Sequence, residues 1–310
     1  MSLSVGIVGL ANVGKSTLFN ALVKRQQAYV ANFPFATIEP NVGVVPVPDE
    51  RLEKLAEIYR APIVPATVTF VDIAGLIAGA HKGEGLGNKF LAHIREVDVI
   101  CHVVRAFRDP DIIKQGVVDP KSDFETVKTE LGLADLEHPN APPLAQKPIL
   151  VALNVDEEDL KKTELETEYG ELLGVDPDQV VVICAKTESE LASLSEADQK
   201  EYLADLGVSQ SGLEKLIQKA YKTLNLISFL TAGEKEVRAW TLKRGETALT
   251  AAGVIHTDFM QHFIKADVCD YADFVALGGW KMARDKGKVR SEGRDYVVRD
   301  GDVIEFKVGV

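Results

Sequence analysis

Gly9-Leu10-Ala11-Asn12-Val13-Gly14-Lys15-Ser16 has the spacing GxxxxGKS, two glycines with a lysine and a hydroxyl after the second. Chemically, that set grips a polyphosphate. Glycines let backbone N–H groups turn inward, the lysine reaches the β- and γ-phosphates, and the hydroxyl offers an oxygen to Mg²⁺. The motif follows an apolar strand, Ser4–Val8, and opens a helix through Thr17-Leu18-Phe19-Asn20. A helix N-terminus adds unpaired N–H groups and partial positive charge to the same spot. This context separates the motif from a glycine-rich turn with a chance Lys-Ser pair. Lys15 and Ser16 are the expected contacts to the phosphates and to Mg²⁺, with Lys15 also a catalytic group.

Two further segments complete the chemistry. Asp72-Ile73-Ala74-Gly75 ends the apolar run Val68–Val71 and has the DxxG form of GTPase-like proteins. Asp72 is expected in the shell of Mg²⁺, and the Gly75 N–H is expected to sense the γ-phosphate. Between these motifs lies Asn32-Phe33-Pro34-Phe35-Ala36-Thr37, where Thr37 can give Mg²⁺ a second hydroxyl. Ser16, Thr37 and Asp72 are therefore the candidate metal ligands, and Thr37 and Gly75 join Lys15 as candidate catalytic positions. Gly75, Gly79, Gly83, Gly85 and Gly87 crowd the stretch after Asp72, which suits either a segment ordered by the γ-phosphate or a flexible surface loop. Ras-like proteins have a water-orienting glutamine just after the DxxG glycine; here Leu76 stands there, so slow intrinsic hydrolysis is expected.

Guanine-specific proteins of this kind carry NKxD, whose aspartate accepts from two guanine donors. The corresponding stretch is Asn154-Val155-Asp156-Glu157, with valine for lysine and a carboxylate one methylene longer. The guanine clamp is compromised, which favours ATP over GTP, with a GTP-dependent switch as the alternative. Cys184-Ala185-Lys186 occupies the place of the SAK loop that touches the base. Asn154, Val155, Glu157, Cys184 and Ala185 are the expected base contacts. A small-molecule kinase on the same loop is disfavoured by the Thr37 segment and DxxG.

The elements that must position these residues alternate strand and helix. Ser4–Val8, Thr67–Asp72, Val99–Val104, Pro148–Asn154 and Gln179–Cys184 read as near-continuous apolar strands, with amphipathic helices such as Lys15–Val23 and Asn88–Glu96 between them. That pattern predicts an α/β fold with a doubly wound parallel sheet, its ligand at the carboxyl ends of the strands. After a closing helix at Gly212–Leu226 the chain turns to short strands, Val237–Thr241 and Val303–Val308, punctuated by glycine turns. The expected domains are 1–227 and 228–310.

Composition agrees with a globular chain: 310 residues, 46% apolar and 26% charged. No apolar stretch reaches the ~18 residues of a membrane span, and no signal peptide is visible. Cys101, Cys184 and Cys269 form no pair or metal motif, as expected of buried thiols in the cytosol. The net charge of −12 taken alone argues against a nucleic-acid protein, but it lies wholly before Ser228; no DNA sequence recognition is expected. Within the neutral tail, Lys281, Arg284, Lys286, Lys288, Arg290, Arg294 and Arg299 form a basic run, a candidate phosphate-facing patch.

Together, Ala31–Asn41, Val71–Leu76, Lys82–Asn88 and the NxxE motif resemble the YchF subfamily of Obg-related proteins, the Obg-like ATPases. Phe229–Trp240 and Ala252–Phe259 are similar to the TGS domain of that family, a β-grasp fold. The resemblance spans nearly the whole chain. It implies a Mg²⁺-dependent ATPase, Asn12 to Thr17 on the phosphates, main chain near Val155 on the base with Asn154 on its adenine side, and a ribosome or RNA partner in translation or stress regulation. The large subunit is the expected ribosomal partner, engaged through the C-terminal domain. The family has two features that differ here. Its long helical arm follows a helix ending like Leu133-Ala134-Asp135-Leu136, but this chain passes almost directly to His138-Pro139, leaving 124–147 as the root of a shortened, deleted or missing insertion. Where the family often has a histidine suspected of assisting hydrolysis, this chain has Lys114, a poor general base at neutral pH.

Overall fold

Val5, Ile7 and Val8 in β1 (Ser4–Val8) and Val99 to Val104 in β5 (Val99–Arg105) are buried, as strands covered on both faces must be. The computed structural model describes residues 3–32, 41–73, 86–108 and 118–309. It divides into two compact units, Met1–Val45 with Val68–Leu224 and Pro46–Thr67 with Asn225–Val310.

The first unit is built on a six-stranded sheet. Its order is β2 (Val42–Pro46), β4 (Thr67–Asp72), β1, β5, β6 (Ile149–Asn154) and β7 (Val180–Ile183). β1 pairs in parallel with β4 and β5, and β5–β6 and β6–β7 are parallel too. Helices α1 (Lys15–Asn32), α3 (Leu86–Glu96), α4 (Pro120–Glu137), α5 (Leu165–Leu173), α6 (Ala185–Leu191), α7 (Glu196–Asp205) and α8 (Gly212–Thr223) accompany it. This is the doubly wound arrangement the alternation predicted. Strand order reverses at β1, so the loop after β1 opens at the crevice where such sheets bind ligands.

At the root of the expected arm, α4 ends at Glu137 and the chain returns to β6 within a short bridge. The Asp135 carboxylate accepts from the N–H groups of Leu144 and Ala145 at 2.8 and 2.9 Å. Leu144 is fully buried in the cluster of Ile94, Ile100, Val127 and Leu131. The Lys147 ammonium donates to the carbonyls of Arg95 and Val97. A charge-assisted clasp and an apolar anchor thus close the bridge.

The second unit has a mixed sheet in the order β11 (Arg290–Glu292), β10 (Phe263–Cys269), β12 (Val303–Val308), β8 (Leu226–Ala232), β9 (Val237–Lys243) and β3 (Ile63–Val64). The β8–β9 hairpin, β12 parallel to β8 and helix α9 (Ala248–Ile255) packed over Phe229, Leu242 and Ala266 match the expected β-grasp fold. One segment departs from the expected domain division. Residues 46–67, which fall inside 1–227, carry α2 (Glu50–Tyr59) and β3 and pack with the second unit. β3 pairs with β9, Ile63 opposite Val237. Arg51 reaches Asp300 at 2.9 Å, and Tyr59 stacks near Phe274.

Candidate functional site: the phosphate loop and its base wall

The loop between β1 and α1 depends on two glycines. A Cβ on Gly9 would lie 2.6 Å from the Val103 carbonyl oxygen, so only glycine lets the loop pass that close to β5. Gly14 has φ +98°, and a Cβ there would lie 2.3 Å from Asn154 Nδ2. Asn12 takes the left-handed region as well, at φ 62°. α1 begins at Lys15, where the Leu18 N–H bonds to the Gly14 carbonyl. The N–H groups of its first turn have no helical partner and lie where a phosphate is expected.

The Lys15 side chain is only 9% exposed, and its ammonium donates to the Leu10 carbonyl, holding it across the loop. Burial pulls its pKa down, and the charge of Asp72 partly restores it. Asp72, at the end of β4 opposite Ile7, shows the mirror image: burial pushes its carboxyl up and Lys15 draws it back. Lys15 at the start of α1 and Asp72 at the carboxyl end of β4 thus lie near enough for each charge to act on the other. Ser16 and Thr17 are exposed in the first turn of α1. Thr37, Gly75, Leu76 and Lys114 lie outside the described residues.

Ser16 and Asp72 offer hard oxygen ligands beside a polyphosphate loop, the donor set that suits Mg²⁺, an ion that keeps several waters and takes one or two protein oxygens. Among the described residues no group of three or more His, Cys, Asp or Glu could hold a metal ion by itself.

At the base wall, Asn154 is 4% exposed and both ends of its carboxamide are engaged by protein. Its Nδ2 donates to the Val13 carbonyl and its Oδ1 accepts from the Ala185 N–H, each at 2.9 Å. The sequence expectation gave Asn154 to the adenine; here it first ties the phosphate loop to the 184–185 loop, with one N–H left over. The Val155 N–H is bonded to the Ile183 carbonyl, and its side chain is buried in the core. Cys184 caps α6 and Ala185 begins it. The Glu157 carboxylate accepts from the hydroxyls of Thr187 and Tyr202 at 2.9 and 3.0 Å.

Thr187 and Tyr202 were not legible as site residues, because a threonine after CAK and a tyrosine on a surface helix carry no motif. His102 was not legible either. It is fully buried in β5 opposite Val8, stacked on Phe124 at 5.2 Å, with neither ring nitrogen hydrogen-bonded. Burial, with the Lys15 charge, pushes its pKa down to about 3.

The basic run in the second unit needs correction. Arg284 is paired with Glu305, Lys288 with Asp273 at 3.2 Å, and Arg290 with Asp270 and Glu292 at 3.1 and 3.3 Å. Arg294 donates to the Phe263 carbonyl. These side chains stabilise the fold locally, and the sequence count of positive charge overstates the patch. Lys281, Lys286 and Arg299 are exposed, with no ion-pair partner among the described residues.

Residues 4–155 match the family model described as "50S ribosome-binding GTPase", and residues 226–309 match the YchF-type GTPase C-terminal model, described as "Protein of unknown function (DUF933)". The chain is 44% identical to the "Ribosome-binding ATPase YchF" of Bacillus subtilis (strain 168), over 100% of both chains. It is 42% identical to the protein of that name from Escherichia coli O157:H7, again over 100% of each. The Bacillus alignment runs over 367 positions against the 310 residues of this chain, so gaps totalling about 57 positions fall within this chain. Among solved structures, the "Schizosaccharomyces pombe YchF GTPase" superimposes with a TM-score of 0.85 at 34% identity, covering 99% of this chain and 98% of the other.

Proposed function

The chain belongs to the YchF family, and on that footing we propose that it is a Mg²⁺-dependent nucleoside triphosphatase that prefers ATP to GTP and binds the ribosome. The observation that carries this reading is a loop shaped by Gly9 and Gly14 that holds the buried Lys15 ammonium on the Leu10 carbonyl, with Asp72 at the end of the neighbouring strand β4. The N–H groups of Asn12 to Thr17 bind and orient the phosphates. Lys15 leaves the Leu10 carbonyl to neutralise the β- and γ-phosphates, which strengthens as negative charge moves onto the leaving oxygen. Ser16 and Asp72, with Thr37, are the residues proposed to hold Mg²⁺. When bound, the ion would supply charge neutralisation to the β- and γ-phosphates. Water attacks the γ-phosphorus and the β–γ anhydride bond breaks, with Gly75 proposed to hold a γ-oxygen. Leu76 cannot orient the water, so turnover of the isolated protein is slow.

Preference for ATP is supported by Val155 and Glu157 in place of the guanine-reading lysine and aspartate. Ribosome binding follows the names of the relatives, and large-subunit contact through the second unit follows its unpaired lysines. The three free cysteines, all buried, suit a cytoplasmic protein, and no described helix is long and apolar enough to cross a membrane.

The test is calorimetric titration of the protein with ATP·Mg²⁺ and GTP·Mg²⁺ side by side. ATP is expected to bind more tightly, and Lys15→Ala is expected to lose both nucleotides; equal affinities for the two would favour a GTP-dependent switch.

A further inference from the structure

The residue that ought to read guanine is held by its own protein. A guanine clamp needs a carboxylate presenting both oxygens to the N1–H and the 2-amino group of the base. Glu157 occupies that place in the motif, yet its Oε2 accepts from Thr187 Oγ1 at 2.9 Å, on α6, and from Tyr202 Oη at 3.0 Å, on α7. A carboxylate oxygen has two lone-pair directions, so these hydroxyls saturate Oε2. The Tyr202 hydroxyl also lies 3.4 Å from Glu190 Oε2, but its single proton goes to the nearer acceptor. Asp156, the other carboxylate in the motif, accepts from the Arg108 N–H at 3.1 Å. Both acids are engaged by protein donors.

We infer that Thr187 and Tyr202 are specificity-determining positioning residues, whose hydroxyls draw the Glu157 carboxylate onto α6 and α7 and so withhold it from guanine. The inference rests on the nucleotide site proposed above. Discrimination against an unwanted ligand is often built this way, by occupying a group that it requires. Loss of the lysine and the longer side chain at 157 weaken the clamp; the two hydroxyls keep Glu157 from reforming it. Adenine has no donor pair for that carboxylate to accept from and is indifferent to where it points.

The experiment titrates the full chain and three variants, Tyr202→Phe, Thr187→Val and the pair combined, with ATP·Mg²⁺ and GTP·Mg²⁺, and reads the ratio of the two affinities. Each single change removes one donor while keeping side-chain shape. Each is expected to move the ratio toward GTP by about three- to tenfold, the net worth of roughly one ordinary hydrogen bond at a partly exposed site, and the pair by more. Adding Glu157→Gln to Tyr202→Phe should cancel the gain, because the amide no longer accepts from both guanine donors; a loosened helix would not respond this way. A ratio that stays within twofold of the parent in all three variants overturns the inference, as does a gain that survives Glu157→Gln. If Thr187→Val does not fold, Tyr202→Phe on the surface helix α7 decides alone. A parent that shows no preference for ATP defeats the proposed function instead, and the shift between parent and variants still judges the two hydroxyls.

Discussion

The carboxamide nitrogen of Asn154 donates to the carbonyl oxygen of Val13 at 2.9 Å, so a side chain at the end of β6 fixes the backbone of the phosphate loop. Its oxygen holds the Ala185 N–H at the same time. Two loops far apart in sequence therefore keep their spacing through one buried amide, and Gly14 has no Cβ because that amide fills the space. Asn154→Asp should keep the contact to Ala185 and set an anionic oxygen against the Val13 carbonyl. ATP affinity should fall by at least about tenfold, or ~1.4 kcal/mol, and an unsatisfied buried group should cost ~1–3 kcal/mol of stability. Titration calorimetry and thermal melts check both. Parental ATP affinity in the variant would remove Asn154 from its bridging role.

His102 gives a pH dependence with a definite sign. Its folded pKa is pushed down to about 3 from the ordinary 6.5, first by burial and then by the Lys15 charge. Above pH 6.5 the imidazole is neutral in both states and contributes nothing to the difference. Below it the unfolded chain takes up a proton that the folded chain refuses, so stability falls as pH drops from 6.5 toward 3, by up to ~1.4 kcal/mol per unit. Between pH 8 and pH 5 the parent should therefore lose about 2 kcal/mol more than His102→Leu, measured by urea denaturation. Identical pH profiles would mean that His102 is protonated in the folded protein.

The phosphate loop, Asp72 and the parallel sheet were legible in the sequence because each is local: a glycine spacing, a strand ending in an acid, a run of apolar residues. The pin on Glu157 was not, since it joins three positions on separate elements through hydroxyls that have many other uses. The placement of 46–67 was hidden for a related reason. α2 and β3 lie between two strands of the first sheet in sequence, and only the pairing of Ile63 with Val237 reveals their allegiance. The basic run misled because counting charge along the chain ignores acids such as Asp270, Asp273 and Glu305, which the fold brings back beside it.

Arg51 tests the allegiance of 46–67. Its guanidinium bonds both oxygens of Asp49, at 2.7 Å each, and reaches Asp300, whose other oxygen accepts from the Ser228 N–H at 2.9 Å. The start of α2 is thereby tied to β8 and the turn before β12. Arg51→Ala should cost about 1–2 kcal/mol, at the lower end of charged hydrogen bonds because the side chain is partly exposed. Hydrogen exchange on the full chain should quicken in α2 and β8 and stay parental in β5 and β6. Faster exchange in the first sheet alone would assign 46–67 to the other unit.

Ribosome binding distinguishes free cations from paired ones. Lys281 and Lys286, on the helix Trp280–Asp285 and its C-terminal cap, are exposed. Arg290 by contrast is placed among Asp270, Glu292 and Asp302 and hydrogen-bonds the Tyr296 hydroxyl. Reversing the lysines, as Lys281→Glu with Lys286→Glu, should leave the melting temperature nearly unchanged, because exposed charges contribute little to stability. It should weaken co-sedimentation with ribosomes and flatten its salt dependence by up to about two ions released. Arg290→Glu should do the reverse at first glance: the melting temperature drops as three acids lose their counter-charge, and ribosome binding falls only as far as the unit unfolds. Co-sedimentation across a potassium chloride series, run beside thermal melts, separates the two behaviours. A lysine double variant that binds with the parental salt slope would take this surface out of the interaction.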